Sequence, residues 1–233
     1  MRLSMLTVLV ALLLLGAGLA LGQTATEPAA ARWIVYGLDT TGSYALVSQA
    51  QQRAAEQLAR DSRPGDVWFF RQINDRSYDE SAAILTVRLP SAPASVTNPF
   101  DRNARTRQQA ANRRLEQVRR AAADQLRAFR APSAPRTDVV GFLAKAGELL
   151  QGAPKDAERI VMIASDLADN IGRKAEVNLA GARVIVNMFQ GGANPQAAQG
   201  IRRLWRDRLT RWGAREVSFL DPSQALVAEI LKP

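Results

Sequence analysis

The chain has 233 residues, 47% hydrophobic and 23% charged, which is the composition of a foldable globular protein with enough length for one large domain. Its formal net charge is +9, and it contains neither cysteine nor histidine. Those two absences exclude a disulfide framework, a thiol nucleophile, a Cys or His zinc centre, a haem histidine and any histidine-based triad, so any metal must be held by oxygen.

Met5–Gly22 (MLTVLVALLLLGAGLALG) carries no charge and follows Arg2 and the amino terminus, the layout of an export signal. Ala20 and Gly22 are the small residues a signal peptidase inspects, so residues 1–22 read as a signal peptide cleaved before Gln23. An uncleaved anchor is the competing reading, because about 20 apolar residues cross a bilayer. Both place the remainder outside the cytoplasm, in the periplasm, secreted, or anchored and facing outward. The short leader and the lack of disulfides in an exported chain point to a bacterial source. Residues 23–32 read as a flexible spacer and residues 33–233 as one domain.

Short apolar runs then alternate with amphipathic stretches, which predicts an α/β fold. The expected strands are Trp33–Leu38, Val67–Ile73, Ala83–Leu89, Ile160–Ala164, Arg183–Phe189 and Glu216–Leu220. The first, fourth and fifth are nearly continuous in apolar residues, as central parallel strands covered on both faces are. Only the polar turn Asn74–Glu80 separates the second from the third, which predicts an antiparallel hairpin at the sheet edge. Helices are expected at 43–60, 103–130, 138–151, 168–177, 195–212 and 222–231, with a loop at Pro90–Pro99. In the second helix Ala104, Ala111, Leu115, Val118, Ala122, Leu126 and Phe129 form one apolar stripe, as Ile201, Leu204, Trp205, Leu209 and Trp212 do in the fifth. The fold expected is a doubly wound, mostly parallel sheet of about six strands with one antiparallel edge strand and helices on both faces.

The first strand ends in Asp39-Thr40-Thr41-Gly42-Ser43, at the carboxyl edge where parallel α/β sheets bind ligands. Asp39, Thr41 and Ser43 alternate, so their oxygens can converge. The fourth strand runs into Ser165-Asp166, and Thr137 stands where a loop enters a helix. Two carboxylates and three hydroxyls on one edge are hard oxygen ligands, suited to Mg²⁺, Ca²⁺ or Mn²⁺. Taken singly, Ser43, Thr137 and Asp166 read equally well as helix caps, and Asp169 and Asn170 as the start of the next helix.

Together these residues resemble the metal-ion-dependent adhesion site (MIDAS) of the von Willebrand factor type A (vWA) domain. That motif is Asp-x-Ser/Thr-x-Ser after the first strand, a Thr in a later loop and an Asp after the fourth strand. Asp39, Thr41, Ser43, Thr137 and Asp166 match it in order, over a likeness covering about residues 33–231. Position 41 is Thr where Ser is commoner, and Leu167 follows Asp166 where Gly is more usual. The resemblance implies a Rossmann-like vWA fold, a divalent cation with Mg²⁺ foremost, and engagement of an Asp or Glu on a partner protein. It implies adhesion or another protein–protein interaction rather than an enzyme. Without histidine or cysteine, proton transfer near neutral pH also lacks its usual carriers.

Two further readings stand beside it. A metal-dependent hydrolase or phosphotransferase would use Asp39 as nucleophile or ligand, but phosphatases of the haloacid dehalogenase type want a second Asp where Thr41 stands. In the other, the metal site of a structural subunit is vestigial and an arginine face makes the contacts. Arg105, Arg113, Arg114, Arg119, Arg120, Arg127 and Arg130 fall outside the apolar stripe of the long helix, either as a solvated face or as a patch for an anionic surface. Export and the lack of interleaved aromatic residues argue against nucleic acid. Trp205 and Trp212 read as core. A membrane contact is expected only through the N-terminal segment if it is uncleaved.

Overall fold

The structure is a computed structural model and describes residues 30–92, 102–130 and 132–223. The expected leader, nearly all of the spacer and of the Pro90–Pro99 loop, and all but the first residues of the expected helix 222–231 lie outside the described residues.

Six strands form one sheet: β1 (Arg32–Asp39), β2 (Val67–Ile73), β3 (Ala83–Arg88), β4 (Glu158–Ala164), β5 (Arg183–Asn187) and β6 (Glu216–Phe219). Their order is β3-β2-β1-β4-β5-β6, and every pairing is parallel except β2 with β3, the expected edge hairpin. The helices are α1 (Val47–Asp61), α2 (Arg102–Ala128), α3 (Val139–Gln151) and α4 (Pro195–Arg211), with one 3-10 turn at Glu80–Ala82. Among the described residues, no helix is long and apolar enough to cross a membrane.

Strand alternation divides the core into two layers. Ile34, Tyr36, Leu38, Trp68, Phe70, Ile160 and Met162 pack with α1 and α2 on one face. On the other, Val35, Phe69, Ile73, Val161, Ile163 and Val184 pack with α3 and α4. Chain direction across the sheet reverses between β1 and β4, so a crevice opens where both strands end. At Gly37 the Phe142 ring of α3 lies so close that a Cβ would stand 2.6 Å from its Cζ, which holds α3 tight beneath that crevice. The opposite edge is closed by a buried ion pair, in which Arg32 Nη2 meets Asp66 Oδ2 at 2.5 Å with both side chains fully covered.

Four expectations are corrected. The segment expected as a helix at 168–177 is irregular, because its polar groups serve the neighbouring loop and α3. Its continuation lies on α3, where a Cβ at Gly147 would meet the Asn178 carbonyl at 2.4 Å, and it buries Val177 and Leu179. Helix α1 starts at Val47 rather than 43, because residues 41–46 turn and bury Tyr44, whose hydroxyl donates to the Met188 carbonyl at 3.1 Å. Leu204 is 53% exposed, since the buried row of α4 runs through Trp205 and Leu209 with Ile201 and Trp212 half-buried beside it. Arg119 leaves the free arginine face, because its guanidinium donates to the Ser62 carbonyl at the end of α1 and pairs with Glu116 at 2.7 Å.

Candidate metal centre

The register that joins β1 to β4 pairs Leu38 with Ala164, so the next residues, Asp39 and Ser165, emerge side by side. The Asp39 carboxylate is fully buried and divides its oxygens between two loops. Oδ1 accepts from the Thr41 backbone N–H at 3.0 Å and from the Thr41 hydroxyl at 2.6 Å. Oδ2 accepts from the Ser165 hydroxyl at 2.6 Å, and Ser165 Oγ in turn accepts from Leu167 N–H at 2.8 Å.

Thr41 gathers the other hydroxyls. Ser43 Oγ lies 3.2 Å from Thr41 Oγ1, and the Thr137 hydroxyl donates to the same atom at 3.1 Å. The loop carrying Thr137 is fastened on both sides. Ala134 N–H donates to Thr40 O at 3.1 Å and Asp138 N–H to Asn74 O at 3.0 Å, so this loop lies against the ends of β1 and β2. From the β4 side, Asn170 Oδ1 accepts from Thr137 N–H at 2.8 Å and Asp169 Oδ1 from Val139 N–H at 3.1 Å.

These contacts exclude the helix-cap readings of Ser43, Thr137 and Asp166. The N-cap of α3 is Asp138, which accepts from Gly141 N–H at 2.7 Å, so Thr137 is one residue too early to cap it. Helix α1 has Leu46 at its N-cap and no side-chain cap, so Ser43 does not cap it either. No helix follows Asp166. Its half-exposed carboxylate accepts from Ala168 N–H at 2.9 Å through Oδ1, and Oδ2 has no protein partner among the described residues. Asp169 and Asn170 start no helix and instead tie two loops of the site together.

Burial raises the Asp39 carboxyl above its ordinary range; the Ser165 and Thr41 hydrogen bonds oppose that rise, while the Asp166 charge adds to it. Among the described residues no Lys or Arg pairs with Asp39. Among the described residues no group of three or more Asp, Glu, His or Cys side chains is placed to hold a metal ion, so a cation here would rest on two carboxylates and on hydroxyls. That set of hard oxygens lacks a positive charge and fits a divalent cation.

Two non-glycine residues with positive φ frame this edge, Leu167 after β4 (φ 60°) and Met188 after β5 (φ 54°). Each has a carbonyl held by an aromatic donor: Trp205 Nε1 donates to Leu167 O at 3.1 Å, and Tyr44 to Met188 O. These bonds hold the loops in a backbone region that L-residues rarely adopt.

Ser165 is the residue that sequence reasoning passed over. Its only signal there was a hydroxyl next to Asp166, and the strand register reveals it as the neighbour of Asp39.

No protein-family model matches the chain, and no curated protein does. Solved structures similar to it include the pilus adhesin SpaC of Lactobacillus rhamnosus GG in its open conformation, with TM-score 0.47 and 10% identity over 84% of this chain and 28% of the adhesin. Proximal thread matrix protein 1 from the mussel byssus gives TM-score 0.44 and 9% identity over 83% of this chain and 42% of that one. The manganese-loaded TRAP protein of Plasmodium vivax gives TM-score 0.37 and 14% identity over 86% and 73%. This chain thus spans less than half the length of the first two. At these scores and identities the likenesses are too remote to carry a function across.

Proposed function

We propose that the chain is an exported vWA-type binding module that holds a divalent cation, Mg²⁺ foremost, at Asp39, Thr41, Ser43, Thr137 and Asp166, and engages an Asp or Glu of a partner protein there. The observation that carries this reading is the buried Asp39 carboxylate, which accepts the Thr41 and Ser165 hydroxyls from two loops, with the Thr137 hydroxyl of a third loop joining through Thr41, and has no basic partner among the described residues. A bound cation would offset the two carboxylates and offer a coordination position to a further anionic oxygen.

The chain's own residues supply position and charge. Ser165 and Thr41 fix the Asp39 carboxylate from opposite sides, so little ordering remains when a ligand arrives. Asp166 brings the second negative charge from the half-exposed side and, among the described residues, leaves one oxygen free of protein donors. Ser43 is exposed and Thr137 buried, so the cluster faces solvent on one side only, where a partner's carboxylate would approach. The absence of histidine and cysteine to carry protons supports binding rather than catalysis at this site.

Calorimetric titration of Mg²⁺, Mn²⁺ and Ca²⁺ into the wild type, Asp39→Ala and Asp166→Ala tests this, with and without acetate as a stand-in carboxylate. One site per chain, lost in either variant, is the expected result. Absence of cation binding at millimolar concentration, acetate included, overturns the proposal.

A further inference from the structure

Helix α2 extends well past the helix it packs on. Its C-terminal part lies along α1, where Gln51 Nε2 donates to the carbonyls of Leu126 at 2.6 Å and Phe129 at 2.9 Å. Arg119 is level with the end of α1, because its guanidinium holds the Ser62 carbonyl. The two helices therefore run antiparallel. Residues 102–118 continue past the end of α1 for about 24 Å at 1.5 Å per residue. None of residues 103–114 is buried, whereas Leu115, Ala122, Ala123 and Leu126 are.

The outer part of this arm is positive. No Asp or Glu occurs between Arg102 and Leu115. Arg105, Arg113, Arg114 and Arg120 are exposed and have no acidic partner among the described residues, while Arg119 and Arg127 pair with Glu116 and Asp124. Alanine is the only apolar residue on residues 103–114, so the arm has nothing with which to insert into hydrocarbon or to stack on bases. A flat anionic surface, met by charge alone, is the partner it matches.

The chain's route indicates which surface. Arg119 and Ser62 stand at the sheet edge where β1 and β2 begin, since Trp33 pairs with Val67. The sequence entering β1 at that edge carries the uncharged stretch Met5–Gly22, separated from Arg32 by residues 23–31, which reach about 30 Å at full extension. We propose that the arginine arm of α2 docks the domain on an anionic phospholipid surface. In a chain that keeps Met5–Gly22 uncleaved, that stretch already brings the domain to a bilayer, and each arginine of the arm adds on the order of 1 kcal/mol of attraction where the lipid is anionic.

The test is vesicle flotation of the full chain in the presence of a metal chelator, which separates the outcome from that of the cation site. Partition onto phosphatidylcholine vesicles is compared with partition onto vesicles in which one quarter of the lipid is phosphatidylglycerol. Any contribution of the apolar stretch enters both measurements, so their ratio reads the charges. The wild type should prefer the anionic vesicles on the order of a hundredfold, with the preference falling as salt rises. Replacing Arg105, Arg113, Arg114 and Arg120 by Gln should bring the ratio close to unity. A control with the same charge change at the exposed Arg76, Arg136, Arg203 and Arg211 should keep it, and far-ultraviolet circular dichroism checks that both variants fold. A wild-type ratio near unity overturns the proposal, as does a control variant that loses the preference equally. So does release of the wild type from heparin by the four substitutions without any preference for anionic vesicles, which would assign the arm to a polymer.

Discussion

The Thr137 hydroxyl donates to Thr41 Oγ1 at 3.1 Å, joining two residues 96 positions apart through one short contact at the carboxyl edge of the sheet. Thr41 passes that link on to Asp39 at 2.6 Å, so three side chains from two loops form one chain of oxygens. Because Asp138 caps α3, the Thr137 hydroxyl is released from helix duty.

Thr137→Val keeps the shape of the side chain and removes the hydroxyl. Cation affinity should fall on the order of tenfold, while stability in chelator changes by less than about 1 kcal/mol, because Thr41 keeps its bond to Asp39. Titration calorimetry with urea denaturation separates the two effects. A stability loss with unchanged affinity would make Thr137 a structural residue.

Ser165→Ala removes the only side-chain donor to Asp39 Oδ2 among the described residues and the acceptor of Leu167 N–H, both buried. Stability in chelator should drop by about 1–3 kcal/mol, the cost of stranding buried polar groups. Cation affinity should fall as well, since Asp39 would no longer be held from both sides. Equilibrium unfolding with and without Mg²⁺ measures both, and a variant as stable as the wild type refutes the bridging role.

Asp66→Asn breaks the buried pair with Arg32 at the other edge of the sheet. Removing one partner of a buried ion pair costs about 3–5 kcal/mol. Chemical denaturation should show that loss, and calorimetry should show cation affinity unchanged in the fraction that remains folded.

All three tyrosines resist ionisation. Burial raises the hydroxyls of Tyr36 and Tyr44 above the ordinary value of 10.0, and the hydrogen bond to Glu148 raises exposed Tyr78. A raised folded-state pKa means that the folded chain keeps protons which the unfolded chain releases, so stability is full below pH 10 and declines as pH rises through the folded values. Tyr36 and Tyr44 should each remove about 1.4 kcal/mol per pH unit above 10. Absorbance titration should show no phenolate step near pH 10 until the chain unfolds. Glu148→Gln should return Tyr78 alone toward its ordinary range.

Local pattern determined most of the architecture. Strands β1, β4 and β5 were readable as central because an apolar run with no polar face has to be covered on both sides, and the short polar turn after β2 left only a hairpin. The same holds for the stripe of α2, whose Leu115, Ala122 and Leu126 are buried as their spacing requires. The residues of the candidate site were also legible one by one, as oxygen-bearing side chains directly after apolar runs. What tertiary structure decided is which atoms meet. Ser165 became the neighbour of Asp39 through a strand register that no local period encodes. Asp169 and Asn170 look like a helix start, yet their oxygens are taken by Val139 and Thr137, 30 and 33 positions earlier. Helix and strand periods report which face of an element is covered, whereas a binding site is made where loop ends of different elements converge. That convergence depends on packing between segments far apart in the chain, and only the folded molecule specifies it.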